Sequence, residues 1–320
     1  CVSQVTNYSF GAASVIVPGT ASVGDTVRAV RVSTGSCSTG YAELTTVVRA
    51  KGTNLFILAD VANPAGGFTD SHYNAFAQQF DDKTYPALVA EFGAPADADG
   101  NSRVVAVVTR EVNRRGTLGF TSSCDLSARS TAPASNEGEF FYVVAPDPTG
   151  TINNDTLSLA LALELLPATI AHEPVHVIQF TRRMLAGGPF VSIWLAEGQA
   201  VLGEEIVGHA VENRATAQNL GLTIMLNADD TSSTDWYSSG FVGLGLYFGW
   251  DPITPPGNPD GKLATAPHEC TWLSAKPANQ GPCVGGLDPY GAPWSLMRYL
   301  SDRLYPSNEP ATLEILYPGF

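Results

Sequence analysis

The stretch His172-Glu173-Pro174-Val175-His176 constrains this chain more than any other. On an α-helix, residues four apart share one face. Two imidazoles there converge on a point beyond that face and can hold one zinc ion. The Glu beside them is close enough to take a proton from a water at that ion. A catalytic zinc needs a third protein ligand and one open position. Twenty residues separate His176 from Glu197, in Trp194-Leu195-Ala196-Glu197-Gly198-Gln199-Ala200. A carboxylate at the start of the next helix can complete a His₂Glu set. Trp194 and Leu195 would bury the helix entry, and Gly198 would let the helices approach closely.

Bland readings stand beside this one. Glu173 is otherwise a surface helix acid, the two His are core residues, and Glu197 is an acid favoured by the helix macrodipole. His72, His209 and His268 read as surface or loop residues. A tetrahedral oxyanion needs a donor beyond zinc. Tyr290, just ahead of the helix in Pro293–Tyr305, is the first choice and Tyr237 the alternative. Pro174 is a departure inside the motif: it lacks an N–H and its ring presses on the carbonyl of Ile170, at a cost of about 3 kcal/mol in a helix interior.

The rest of the chain reads as α+β. Ala13–Pro18, Asp25–Ser33, Ala42–Ala50 and Asn54–Asp60 are short Val-, Thr- and Leu-rich runs bounded by turn residues, as strands require. In Thr26–Val32 strict alternation leaves one Arg facing inward or edge-on in either register, and neither register is chosen. Asp70–Phe92 turns helical, with Pro86 as a break. Ser102–Thr109 and Glu139–Pro146 are further strands. Asp155 reads as a helix N-cap, and Pro167 as the first turn of a new helix that carries the motif. Asp97, Asp99 and Asn101 around Gly100 are a candidate Ca2+ set, the alternative being a β-turn; the Glu that an EF-hand needs at its twelfth position would fall on Val108.

Composition narrows the partners. The 320 residues carry a net charge of −14, which argues against nucleic acid. No run of 18 apolar residues exists, so no transmembrane segment is expected. Five cysteines without CxxC spacing argue for disulfides rather than a thiolate zinc site. Cys37–Cys124 and Cys270–Cys283 are the expected pairs. Cys1 is left over, as a lipid anchor of an exported protein or as a processing boundary. Together with scarce lysine, this places the chain outside the cell or on its surface. Any signal peptide that existed is expected to be already gone, and an extension beyond Glu314–Phe320 is left open.

At this point the residues resemble a family. Thr169–Phe180 followed by Trp194–Ala200 is similar to the gluzincin zinc metallopeptidases, and within them to hyicolysin-like bacterial neutral metallopeptidases. Phe80–Thr109, Ser135–Val143 and Pro293–Tyr305 carry the likeness outside the motif, Ser135–Val143 as an edge strand. The resemblance implies a zincin-like fold: a twisted β-sheet lobe over the active-site helix, then a mostly helical lobe. It implies residues 1–60 as a β-rich segment and 61–320 as the catalytic domain. It implies His172, His176 and Glu197 as Zn2+ ligands, Glu173 as general base, and a protein or peptide substrate. The competing class is a catalytically inactive zincin-scaffold protein serving as a surface, adhesion or assembly component. Paired-carboxylate hydrolases have no acid pair to support them, and zinc deaminases lack their Cys ligands.

Overall fold

The computed structural model describes residues 15–187, 193–215, 220, 236–247, 288–304 and 308. It divides into two compact units, with the boundary between residues 190 and 191.

The first unit is built on one mixed sheet. Its strands are β1 (Thr26–Ser33), β2 (Tyr41–Lys51), β3 (Leu55–Asp60), β4 (Val104–Val108), β5 (Gly119–Thr121) and β6 (Phe140–Val143). They lie in the order β1-β2-β3-β4-β6-β5. β3, β4 and β6 are parallel, and the outer pairings are antiparallel. Every residue of β4, Val-Val-Ala-Val-Val, is buried, as a parallel strand covered on both faces requires. Around the sheet lie α1 (Asp70–Gln79), α2 (Tyr85–Phe92), α3 (Arg110–Arg115) and α4 (Leu159–Leu185). Ala162, Leu166, Ile170 and Val177 of α4 join the sheet core.

The second unit is helical where it is described: α5 (Ile193–Val211), α6 (Ser238–Tyr247) and α7 (Asp288–Leu304). Val201, Leu202, Trp294 and Met297 form its core, with Trp194 and Leu195 packed against them. The chain is therefore α+β: a six-stranded mixed sheet followed by a mainly helical part.

Several expectations shift. Residues 15–18 of the first expected strand are not in a strand, although Val17 is fully buried. β5 is a strand that three residues in a Gly/Thr-rich stretch do not announce. Ser135–Val143 does not form an edge: β6 lies between β4 and β5, and β5 takes the edge. The Arg dilemma in β1 is solved by a bulge. The register shifts between Arg28 and Val30, where Ala29 has φ of 59°. One extra residue lets Val27, Val30 and Val32 all face inward. The Arg129 guanidinium holds the bulge by donating to Ala29 O at 2.7 Å.

The helix Asp70–Phe92 is interrupted as Pro86 suggests, but upstream of it. A π-helical turn at Phe80–Thr84 separates α1 from α2. Pro86 then sits in the first turn of α2, where its missing N–H costs little. The motif helix also starts differently. Ser158, not Asp155, is the N-cap, accepting from Leu161 N at 3.1 Å. Pro167 lies inside a continuous 27-residue helix rather than starting a new one. The apolar face of α4 against the sheet outweighs the proline's preference for a first turn.

Cys37 and Cys124 form a disulfide, with Cα atoms 5.3 Å apart. It ties the β1–β2 connection to the segment after β5. Cys1, Cys270 and Cys283 lie outside the described residues. No helix among the described residues is long and apolar enough to cross a membrane.

Candidate metal centre and its surroundings

α4 carries His172, Glu173 and His176 in its middle, and the helix runs unbroken through Pro174. The two imidazoles share one face: their centroids are 5.0 Å apart, with planes at 75°. A ring nitrogen of one lies within 4.8 Å of a ring nitrogen of the other. Two ligands each about 2.0–2.1 Å from one zinc stand at most about 4.2 Å apart, so a small side-chain adjustment brings both to the ion. His176 is buried, and its Nδ1 lies 3.0 Å from Gln179 Oε1. An amide oxygen only accepts, so in this contact Nδ1 is the donor and Nε2 is the ring's acceptor nitrogen. Gln179 is thus a partner of His176 that the motif alone does not reveal. Its i+3 spacing from His176 is the available signal.

Glu173 is 5% exposed. The hydroxyl of Thr121, on edge strand β5, lies 2.9 Å from Glu173 Oε2 and 3.0 Å from the Glu173 carbonyl. Its single proton serves these two acceptors. Gly119, two residues earlier, permits the approach. A Cβ there would lie 2.6 Å from Thr169 Cγ2 and 2.8 Å from Glu173 Oε1. The short strand that the sequence does not announce is therefore the element that positions the motif's carboxylate.

The other expected site residues lie in the second unit. Glu197 is half-buried in the second turn of α5. The helix approach that Gly198 permits is to α7: a Cβ would fall 2.6 Å from Pro293 Cβ and 2.8 Å from Met297 Cε. Tyr237 is buried, and its hydroxyl donates to Glu212 Oε2 at 2.9 Å. Burial raises its pKa first, and the Glu212 carboxylate adds to the rise. Tyr290 is within α7, but its side chain lies outside the described residues, as does His268. His209 is not a surface residue. It is 5% exposed on α5, with Nδ1 2.8 Å from Glu205 O and its ring edge-on to Tyr237. His72 belongs to the N-terminal turn of α1, where its Nδ1 accepts from Thr69 N at 3.2 Å.

A second group of acids lies away from α4. Carboxylate oxygens of Asp97, Asp99 and Glu139 all lie within 4.8 Å of one another. Burial first, then the neighbouring acids, pushes Glu139 up to about 8 and Asp99 up to about 6 against the pull of their hydrogen bonds. Asn101, expected beside the two Asp, is not in this group. Its amide donates to Asp99 Oδ2 at 2.8 Å and its oxygen accepts from Arg103 N at 2.7 Å. Glu139, distant in sequence, takes its place.

No family model matches the chain. Over 142 residues, 43% of its length, it is 26% identical to the neutral metalloprotease ShpI of Staphylococcus hyicus. The match spans 31% of that protein's length. With a helix that presents two imidazoles and a carboxylate in HExxH order, the chain is distantly similar to a bacterial neutral metalloprotease.

Proposed function

We propose that the chain is an exported zinc peptidase of gluzincin type, with a zincin-like fold, that hydrolyses peptide bonds in protein substrates. The observation that carries the reading is the face of α4. His172 and His176 set their rings 5.0 Å apart while Glu173 is held beside them by Thr121. Two imidazoles and a carboxylate are the donor set that zinc takes in catalytic sites. In this reading His172 and His176 are zinc ligands and Glu197, near the start of α5, is the third. Zinc, when bound, would supply Lewis acidity and lower the pKa of water from 15.7 to about 7.

The chain's own groups do the rest. Glu173 accepts the proton at its carboxylate and passes it to the leaving amine. Thr121 keeps that carboxylate oriented between the two transfers. Gln179 fixes the His176 tautomer. The edge strand β5 carries Thr121, and an extended peptide added along it would bring its carbonyl to Glu173, since a strand edge offers unpaired backbone groups. Tyr290 is our choice for the oxyanion donor, because the Tyr237 hydroxyl is already given to Glu212. The Cys37–Cys124 disulfide supports an oxidising compartment outside the cytosol. The unbroken helix at Pro174 favours an active site over the inactive-scaffold alternative.

The test is cleavage of an unfolded protein by the purified, zinc-replete chain. Cleavage that stops on chelation and returns with zinc is expected, with Glu173→Ala slower by about 10²–10⁴-fold. A fully zinc-loaded protein that cleaves no member of a broad peptide library would overturn the proposal.

A further inference from the structure

The acidic corner of the first unit calls for a cation of its own. It is assembled from two places in the chain. Asp97 and Asp99 lie on the turn before β4, and Glu139 lies at the entry to β6. Strand pairing fixes the latter: Glu139 O accepts from Val105 N at 2.8 Å. The turn is fixed against it, since Ala98 N donates to Glu139 Oε1 at 2.6 Å. Gly138 lets the two pack. A Cβ at that position would lie 2.7 Å from Asp99 Oδ2.

The hydrogen bonds within this corner leave one oxygen over. Glu139 is 2% exposed, and its Oε2 is buried with no hydrogen-bond partner among the described residues. A buried carboxylate oxygen left unsatisfied costs about 1–3 kcal/mol or more. Nor is the charge matched. Among the described residues, none of the three acids forms an ion pair with Lys, Arg or His. The nearby Arg103 guanidinium is committed to Gly52 O at 2.8 Å and Asn101 O at 3.2 Å.

We propose that Asp97, Asp99 and Glu139 bind one calcium ion, which staples the turn before β4 to the start of β6. The spacing suits it. Calcium takes oxygen ligands at about 2.3–2.6 Å, so two of them on one ion stand at most about 4.6–5.2 Å apart. The three carboxylates fall within 4.8 Å of one another. Three hard, anionic oxygens with no imidazole or thiolate among them select calcium over zinc. Asp97 is exposed, which gives the ion a way in and room for waters to complete six to eight ligands. No residue is shared with the set proposed for zinc. The ion's role here is structural: β6 pairs with β4 on one side and β5 on the other, and α4 packs against β6 and β5.

The experiment is calorimetric titration of calcium chloride into the full chain, zinc-replete and calcium-free, at neutral pH, with thermal melting alongside. Binding of one calcium per chain and a rise in melting temperature are expected. Glu139→Gln and Asp99→Asn should each weaken the affinity about tenfold or more, because ligand charge sets affinity in such sites. Asp97→Asn, at an exposed position, gives the same readout should either buried variant fail to fold. Glu173→Ala should leave calcium binding intact, which separates this site from the zinc reading. No binding by the wild type up to about 10⁻³ M calcium, the weak end for extracellular modules, overturns the proposal. So does undiminished affinity in the folded variants.

Discussion

Two buried carboxylates in the sheet-bearing unit, Glu173 and Glu139, are treated in opposite ways. Glu173 is 5% exposed and Glu139 is 2% exposed. Glu173 follows His172 on α4 and accepts a hydrogen bond from the Thr121 hydroxyl. Glu139 sits with two further acids and, among the described residues, leaves one oxygen without a donor. A neutral donor beside a carboxylate orients it without locking its charge, so the group can gain and lose a proton. Three acids together favour either a proton or a cation, and geometry alone decides which. Equal burial therefore does not mean equal function; the difference lies in what surrounds the oxygens.

That contrast is broken or sharpened most strongly by crossing the two substitutions. Glu173→Ala should cost about 10²–10⁴-fold in peptide cleavage and leave calcium affinity unchanged. Glu139→Gln should lose calcium affinity and keep cleavage, measured with zinc at a temperature where the variant is folded. If both substitutions damage both readouts equally, the two regions are one site and the comparison fails.

Smaller effects come from β5. Gly119→Val would push branched carbons into Thr169 and the Glu173 carboxylate, where even a Cβ is closer than van der Waals contact. We expect kcat to fall by about 10–100-fold, with zinc content unchanged by metal analysis, since misplacing a reacting group by about 1 Å costs on the order of 10²-fold. Thr121→Val keeps the shape and removes the hydroxyl. A hydrogen bond to a charged group is worth about 1.5–3 kcal/mol, which sets an upper bound of roughly 10–100-fold on kcat. Thr121→Ser should restore most of that loss. Unchanged kinetics in Thr121→Val would mean that Thr121 only packs.

These residues also mark how far the sequence can be read in advance. The metal-binding face of α4 is legible because helical period converts a five-residue string directly into geometry. The Cys37–Cys124 pair is legible from spacing and turn composition, and the long Val-rich strands from their length. β5 is not. Gly119-Phe120-Thr121 is too short to show alternation, and only its antiparallel pairing with β6 makes it a strand. The same holds for Glu139. It is 40 positions from Asp99, and nothing local says that β6 returns beside the turn that precedes β4. Asn101 is the nearer candidate in sequence, but its side chain is spent within the turn. Bulges are beyond reach for the same reason. The extra residue at Ala29 exists to satisfy a core that pairing creates.

A third buried acid tests the smallest part of the contrast. Asp125 follows Cys124 and is 1% exposed. Burial pushes its pKa up to about 7, against the pull of hydrogen bonds from Tyr142 and Asn136 and of the Arg129 charge. The Tyr142 hydroxyl has one proton and two acceptors, Asp125 Oδ2 at 2.7 Å and Arg31 O at 2.9 Å. A proton on Asp125 can be given to Tyr142 Oη, which frees the Tyr142 proton for Arg31 O. Asp125 thus resembles Glu139 in burial but has neutral donors rather than acids around it, so a proton suffices. The native state then keeps a proton that the unfolded chain, with its carboxyl near 3.8, has released. Stability falls as pH rises from about 4 to 7, by on the order of 4 kcal/mol for a shift of about three units. Asp125→Asn should flatten that slope in thermal melts recorded with saturating calcium, which holds the acidic corner in one state. An identical slope in the variant would show that Asp125 is ionised throughout and is matched by Arg129 instead. Its burial would then be balanced by a cation, as we propose for Glu139, and not by a proton.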